Sequence, residues 1–545
     1  MSGTAYSLLD DPFVETDLAD GRRVGLTLPG LLAALVRDGV SAFPGVQAHQ
    51  RHAWHATLVQ VAAIAMHASG EAVPPADEGF WRGTILSATP DACRDTAWCL
   101  VAPDDRPAFM QPAVAAADVP KGKALGGMTD LDVLITSKNH DVKIGSGSDG
   151  SPSEWLAALV SMQTQVGFGG RGNVGVARMN GGFSSRAGFG LVPPGGPGAR
   201  FRRDLLVHLD RRDRVIDTYR YKDEGGHAFL WMLPWEGDGQ LSLQTLDPYF
   251  VEVARRARLS VGPDGMTCRT WNNDKNRVSA KDARGNLGDL WTVVVEDGEG
   301  RKALTGDAGS LGYDRLVNLI LGGKVRETGY EPSPLTAPMP GDPRSGMAFS
   351  ARLLVRGQGK SEGYHERTVP VAHAMVTGFG RREGDPYGLL ARAMVAAAWA
   401  VARKSLTIAL MTVAQGGPAE VDFGDTGAVR LKDAWMGGFH RAVDGVFFER
   451  LAAMCGRMEA GEAEAAVLVD WYVELHGLAR ACLDAALDAG MLKAVQAGRA
   501  RARSESALAR TFRAVSPDAH ARLFPPRRNP GPDGVENREL EEADA

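Results

Sequence analysis

The sequence predicts an α+β protein: a large mixed α/β domain over residues 1–380, a C-terminal four-helix bundle over 381–520, and a disordered tail over 521–545. Up to about residue 370, short strand-like apolar runs alternate with isolated helical stretches. A proline- and glycine-rich segment, Ser333 to Gly346, punctuates that pattern, and after Asp385 the apolar periodicity is helical almost without a break.

The elements follow in order. The N-terminus, MSGTAYSLLDDPFVETDLADG, is acidic and lacks the basic flank and apolar stretch of a signal peptide. Residues 46–69 carry apolar side chains at helical spacing, with His49, His52 and His55 three apart. No cysteine or carboxylate in that helix completes a metal shell, so these read as capped or core histidines. Residues 85–135 read as short strands and loops, with apolar runs in AWCLVAP and LDVLIT. A polar glycine-serine loop spans Thr136 to Trp155, and Ser153 with Glu154 signals the start of a helix through WLAALVSMQTQV. Between Asp204 and Pro332, LLVHL and WTVVVED read as strands, while Trp231, Trp235, Trp271 and Trp291 read as core anchors. FSARLLVRGQGKSEGYHERTVPV reads as two strands joined by a polar loop from Arg356 to Glu366.

The helical region opens with Asp385 as N-cap and Pro386 in the first turn. Three further helices, near 431–459, 462–488 and 489–515, complete the expected bundle. The last carries Lys493, Arg499, Arg501, Arg503, Arg510 and Arg513 against Glu505 alone, which fits a solvated face or a polyanion contact.

The formal net charge is −5, which excludes a histone-like mode of binding and makes any nucleic-acid contact local or shared with partner subunits. The five cysteines are scattered with no CxxC pair, so neither a zinc ribbon nor a disulfide framework is expected. No uncharged apolar segment approaches bilayer-spanning length, and the expected location is cytoplasmic, with reduced thiols and no membrane partner.

Against that acidic background, the stretch from Trp155 to Arg203 holds six arginines (Arg171, Arg178, Arg186, Arg200, Arg202, Arg203) and no aspartate or glutamate. Its centre, GFGGRGNVGVARMNGGFSSR, is crowded with glycine. Glycines let a backbone approach a ligand, and guanidinium groups match phosphate oxygens, so polyanion contact is the first reading. The alternative is a glycine-rich connection whose arginines face water.

Other motifs fail on context. GxGxxG occurs twice, from Gly167 and from Gly170, but follows an apparent helix, and the next acid is Asp204. Gly359-Lys360-Ser361 ends like a phosphate-binding loop, yet Leu354 stands where that motif needs glycine. HExxH and GxSxG are absent, and no catalytic centre, cofactor or metal site is specified.

Taken together, RPAFMQP (Arg106 to Pro112), TSKNHDVK, GFGGRGNVGVARMNGGFSSR and RGQGKSEGYHER, in that order before a helical bundle, resemble the CasA family. CasA is the large subunit of type I-E CRISPR Cascade surveillance complexes, and the resemblance spans roughly residues 24 to 515. It implies a non-catalytic subunit in antiviral defence that recognises the protospacer-adjacent motif, helps open target DNA and recruits a helicase-nuclease. Guide RNA pairing supplies the sequence specificity. The implied partners are other Cascade subunits, the guide RNA, target double-stranded DNA and that effector.

Residue by residue, the loop Thr136 to Lys143 resembles the family's first mobile loop. This implicates Lys138, Asn139 and His140 with RNA, and Asn139 and Lys143 with DNA. The glycine stretch contributes Arg171, Asn173 and Arg178 to the expected DNA contacts, and Lys275 and Lys281 are candidates for a family lysine that reaches the minor groove. In the loop resembling the family's wedge, Gln358 and Gly359 align with the wedge pair. Either Gln358 acts with a one-residue shift, or Lys360 and Tyr364 take part in strand separation. A nucleotide-binding enzyme using the glycine loops, or a protein-only scaffold, are the competing readings.

Overall fold

The structure is a computed structural model that describes residues 3–525 except 126, 132–149, 182–183, 307–308, 310, 326, 358–359, 373, 376–384 and 490–493. The chain divides into two compact units, Met1–Glu383 and Gly384–Ala545, against the sequence-based boundary at 380. The first unit mixes helices with small sheets, and the second is helical among its described residues.

In the first unit the helices Arg51–Ser69 and Pro152–Thr164 bury nearly every side chain along their length. Trp81, Trp98, Trp155, Trp231 and Trp291 fill the space around them with almost no exposure, and Trp235 and Trp271 are buried too. The helix Pro152–Thr164 begins at a reciprocal cap. Ser151 Oγ accepts the Glu154 N–H, and the Glu154 carboxylate accepts the Ser151 N–H at 2.8 Å, two residues before the start expected from sequence.

LLVHL is not a strand. It lies inside the helix Pro197–Tyr219, where Phe201, Leu205 and Val215 are buried between charged residues at helical spacing. A five-residue apolar window is too short to distinguish the two periods. WTVVVED does hold a strand, Val294–Asp297, in a four-stranded antiparallel sheet with Gly300–Ala303, Thr328–Glu331 and Gly323–Val325.

A long hairpin pairs Ala348–Gly357 with Lys360–Pro370, and Gly188–Val192 adds a third strand at its root. Arg356 lies opposite Ser361 and Gly357 opposite Lys360, so the expected loop from Arg356 to Glu366 is mostly strand. From Gly363 to Val369 the side chains alternate across a pleated ladder in spite of their polarity.

In the second unit, Asp385 caps its helix as expected, its carboxylate accepting N–H groups of Tyr387 and Gly388. Pro386–Ala414 runs through one π turn at Val401–Leu406 and is long and apolar enough by length and composition to cross a membrane, though Arg392, Arg403 and Lys404 interrupt it, as the expectation of no uncharged spanning segment requires. Its Leu390, Met394, Ala398 and Leu410 are instead buried in the helical unit. The helices Thr426–Glu459, Glu464–Asp488 and Ala494–Val515 follow. Phe439, Phe447, Trp471, Leu475 and Phe512 form their shared interior, and Trp471 donates its indole N–H to Met394 O at 3.0 Å. A further short helix, Pro517–Leu523, occupies the beginning of the segment expected to be disordered, while 526–545 lie outside the described residues.

Candidate nucleic-acid interface

After the helix Pro152–Thr164 the glycine-rich stretch folds back on itself. Val176 N donates to Val166 O at 3.1 Å, and Arg186 N to Gln165 O at 3.0 Å. A Cβ on Gly167 would lie 1.8 Å from Ser184 O, so that strand crossing admits only glycine. Much of the glycine content therefore serves the close approach of the chain to itself.

The arginines divide in the same way. Arg186 is 1 % exposed and forms a bidentate pair with Asp289, with Nε–Oδ2 at 2.6 Å and Nη2–Oδ1 at 2.8 Å. Burial pushes the Asp289 carboxyl up, but the Arg186 guanidinium overrides it and holds the pKa at about 2. Arg203 grips Asp342 at 2.8 and 3.0 Å and donates to Leu335 O and Ala337 O. Arg200 is buried 3.6 Å from Asp204, which also meets His55 Nε2 at 2.7 Å and the Trp291 indole N–H at 3.4 Å. Arg178, expected to contact DNA, is only 3 % exposed. Its guanidinium lies 3.7 Å over the Phe250 ring and 3.9 Å from Glu252, and burial lowers its pKa. Arg178 is thus corrected to an interior residue: its charge faces a carboxylate rather than solvent.

What remains at the surface is an edge assembled from two distant segments. Asn273 N donates to Gly172 O at 2.9 Å, and Asn173 and Asn273 form a parallel bridge. Gly172 sits at φ +79°, and a Cβ there would meet the Asn272 side chain at 2.6 Å, so the junction requires glycine. Asn276 donates its amide to Gly175 O at 2.6 Å, tying the same two segments a second time. Arg171, Asn272 and Lys275 are exposed on this edge and Asn173 is half-buried; Asp274 lies beside them, and Glu236 and Asp238 are exposed on either side of Gly237, whose carbonyl accepts the Asp274 and Lys275 N–H groups.

The junction thus brings Arg171, Asn173 and Lys275 together from positions a hundred residues apart. Asn272 and Asn273 were missed in the sequence. The amide-rich run WNNDKN was the available signal. Lys281 is exposed but starts a short turn whose Gly285 abuts the Met179 backbone, away from the Gly172–Asn273 contact.

The hairpin stands next to this loop. Leu354 and Tyr364 pack on Val166, immediately before Gly167. Tyr364 donates its O–H to Glu366 at 2.9 Å, and Arg352 pairs with Glu366 at 2.7 Å, so Tyr364 belongs to the hairpin's packed stretch and not its tip. The backbone of Lys360 opens the second strand, whereas Gln358 and Gly359 lie outside the described residues. So do Lys138, Asn139, His140 and Lys143. No cluster of three or more metal-ligating side chains occurs among the described residues, and His49 and His52 are core groups.

Fold and surface together define a large two-part protein with a mixed α/β unit that presents a glycine-built edge bearing Arg171 and Lys275 beside a long hairpin, followed by a helical unit. This is the fold of the Cse1/CasA proteins. Cse1 of Acidimicrobium ferrooxidans, a CRISPR-associated protein, superposes with a TM-score of 0.66 over 94% of this chain and 99% of its own, at 13% identity. Cse1 of Thermobifida fusca gives 0.65 at 15% identity over 94% and 98%. A chain of a CRISPR RNA-guided surveillance complex gives 0.54 at 14% identity over 93% and 99%. No protein-family model matches the sequence, and no curated protein matches it.

Proposed function

We propose that this chain is the large, non-catalytic subunit of an RNA-guided surveillance complex of the Cascade type, acting in the cytoplasm in antiviral defence. In this reading it recognises the short motif beside a DNA target, helps to open the duplex, and offers a surface to a helicase-nuclease. Its partners are the guide RNA and the other subunits. The observation that carries the reading is the Gly172–Asn273 junction, which sets Arg171 and Lys275 on one exposed edge of a Cse1/CasA fold; its glycine loop follows Val166, on which the hairpin residues Leu354 and Tyr364 pack.

The chemistry suits a tolerant reader. Arg171 and Lys275 supply charge for phosphate, and the amides of Asn173 and Asn272 can donate to or accept from base edges. The minor groove offers a degenerate pattern that such a small set can read. Gly170, at φ +112° with nothing within 4 Å of a Cβ position, leaves the backbone open to close approach. In the same reading the hairpin tip, with Gln358, Gly359 and Lys360, acts where the first base pairs separate. Opening costs a few kcal/mol, and inserted side chains offset part of it.

The test is the salt dependence of DNA binding by the guide-RNA complex purified through this chain. Arg171→Ala with Lys275→Ala should lower the log–log slope by about 1.8, at about 0.9 for each phosphate that is no longer neutralised. An unchanged slope would move the DNA interface elsewhere.

A further inference from the structure

A cavity of about 530 Å³ opens on the far side of the Arg186–Asp289 pair, between the helix Pro197–Tyr219, the segment Asn286–Thr292, the four-stranded sheet and the segment Pro332–Pro338. Its size falls within the roughly 300–1,000 Å³ of small-ligand sites. Its walls are fixed. Gly288, at φ +75°, lets its segment lie against the helix, where a Cβ would stand 2.8 Å from Val215 and Tyr219.

Three guanidinium groups line it, those of Arg211, Arg214 and Arg301, with the rings of Tyr219 and Tyr330 and the amide of Asn286. The two lining carboxylates are already engaged: Asp289 by Arg186, and Glu331 by Arg301. Arg211 lies 3.2 Å from Asp210. Arg214 is exposed and has no ion pair among the described residues. Asn286 accepts the Tyr219 O–H at 2.8 Å, leaving its amide N–H groups for a ligand.

We propose that this cavity binds a nucleoside 5′-phosphate unit, with Arg214 and Arg211 on the phosphate, Tyr219 and Tyr330 against the base, and the Asn286 amide on a base edge. Guanidinium forks recognise phosphate through charge-assisted hydrogen bonds, and tyrosine rings stack on any base. The same unit could come from a free mononucleotide or from an unstacked nucleotide of a single strand. The site does not depend on the DNA edge at Arg171 and Lys275.

Calorimetric titration of the full chain with AMP, and separately with a (dT)5 oligonucleotide, tests it. Two exposed positions provide the variants: Arg214→Glu reverses the free charge, and Thr218→Trp fills the mouth. Arg171→Ala with Lys275→Ala serves as the control. AMP binding that weakens tenfold or more in both cavity variants, but not in the control, supports a free nucleotide as the source. Binding of the oligonucleotide alone, with the same sensitivity, supports a strand nucleotide. Absence of binding by both probes, or binding indifferent to Arg214→Glu and Thr218→Trp, overturns the proposal, whatever the outcome for DNA at the edge bearing Arg171 and Lys275.

Discussion

Two arginine-rich regions of this chain look alike in sequence and behave oppositely in structure. In the stretch Trp155 to Arg203, Arg178, Arg186, Arg200 and Arg203 are buried, three of them within 3.6 Å of a carboxylate. In the helix Ala494–Val515, Arg501 is 45 % exposed, shared among Asp484, Asp488 and Glu505. Arg499 and Arg503 donate to Gly416 O and Gly417 O, while Arg510 and Arg513 are exposed without an ion pair among the described residues. The scarcity of local acid is informative in neither case. Arg186 meets a partner 103 residues away. Local charge inversion therefore has two physical causes, a surface that attracts anions and an interior whose counter-ions arrive from elsewhere in the chain.

The largest effect that distinguishes the two regions is on stability. Arg186→Met strands the buried Asp289 carboxylate and should cost about 3–5 kcal/mol by chemical denaturation. Adding Asp289→Leu should recover most of the loss, since the charge left uncompensated is then gone. A cost under about 1 kcal/mol for the single variant would break the contrast.

Acid should expose the same interior. Burial lowers the pKa of His55 and of His208 from 6.5 to about 4, and drives His52 well below its ordinary value. The unfolded chain takes up protons on these rings below pH 6.5, while the native chain does not until near 4. Stability is therefore complete above that window and falls as pH drops through it, by about 3 kcal/mol for each of the His55 and His208 rings. Denaturation midpoints that stay level from pH 7 to 4.5 would contradict this.

The smallest effect belongs to the helical face. Arg510→Ala with Arg513→Ala should change stability by less than about 0.5 kcal/mol. If thermal unfolding shifts by several degrees, that face is structural, and the two regions are less different than the burial implies.

The division into mixed and helical parts was legible because helical periodicity sustained over four long segments leaves little ambiguity, and Asp385-Pro386 is a strong local signal. Arg171 and Lys275 were legible as charged candidates, but their juxtaposition was not. It depends on the Gly172–Asn273 junction, which no local pattern encodes. LLVHL was misread because five residues cannot separate strand from helix, and the segment up to Glu366 because its polarity suggested a loop where the backbone pairs in a ladder. Arg178 was misread because glycine and arginine together signal anion binding only when the arginine reaches solvent, and its ring and carboxylate partners, Phe250 and Glu252, lie more than seventy residues on.

In the proposed reading the hairpin tip and the edge at Arg171 and Lys275 open and read duplex DNA. This role is tested most directly by comparing two targets for the guide-RNA complex carrying Gln358→Ala with Lys360→Ala: one fully paired, and one with a pre-opened bubble next to the motif. The account predicts about tenfold weaker binding of the paired target and little change for the bubble, because pre-opening removes the step that the tip assists. Equal loss on both targets would contradict it and reduce the tip to a general phosphate contact.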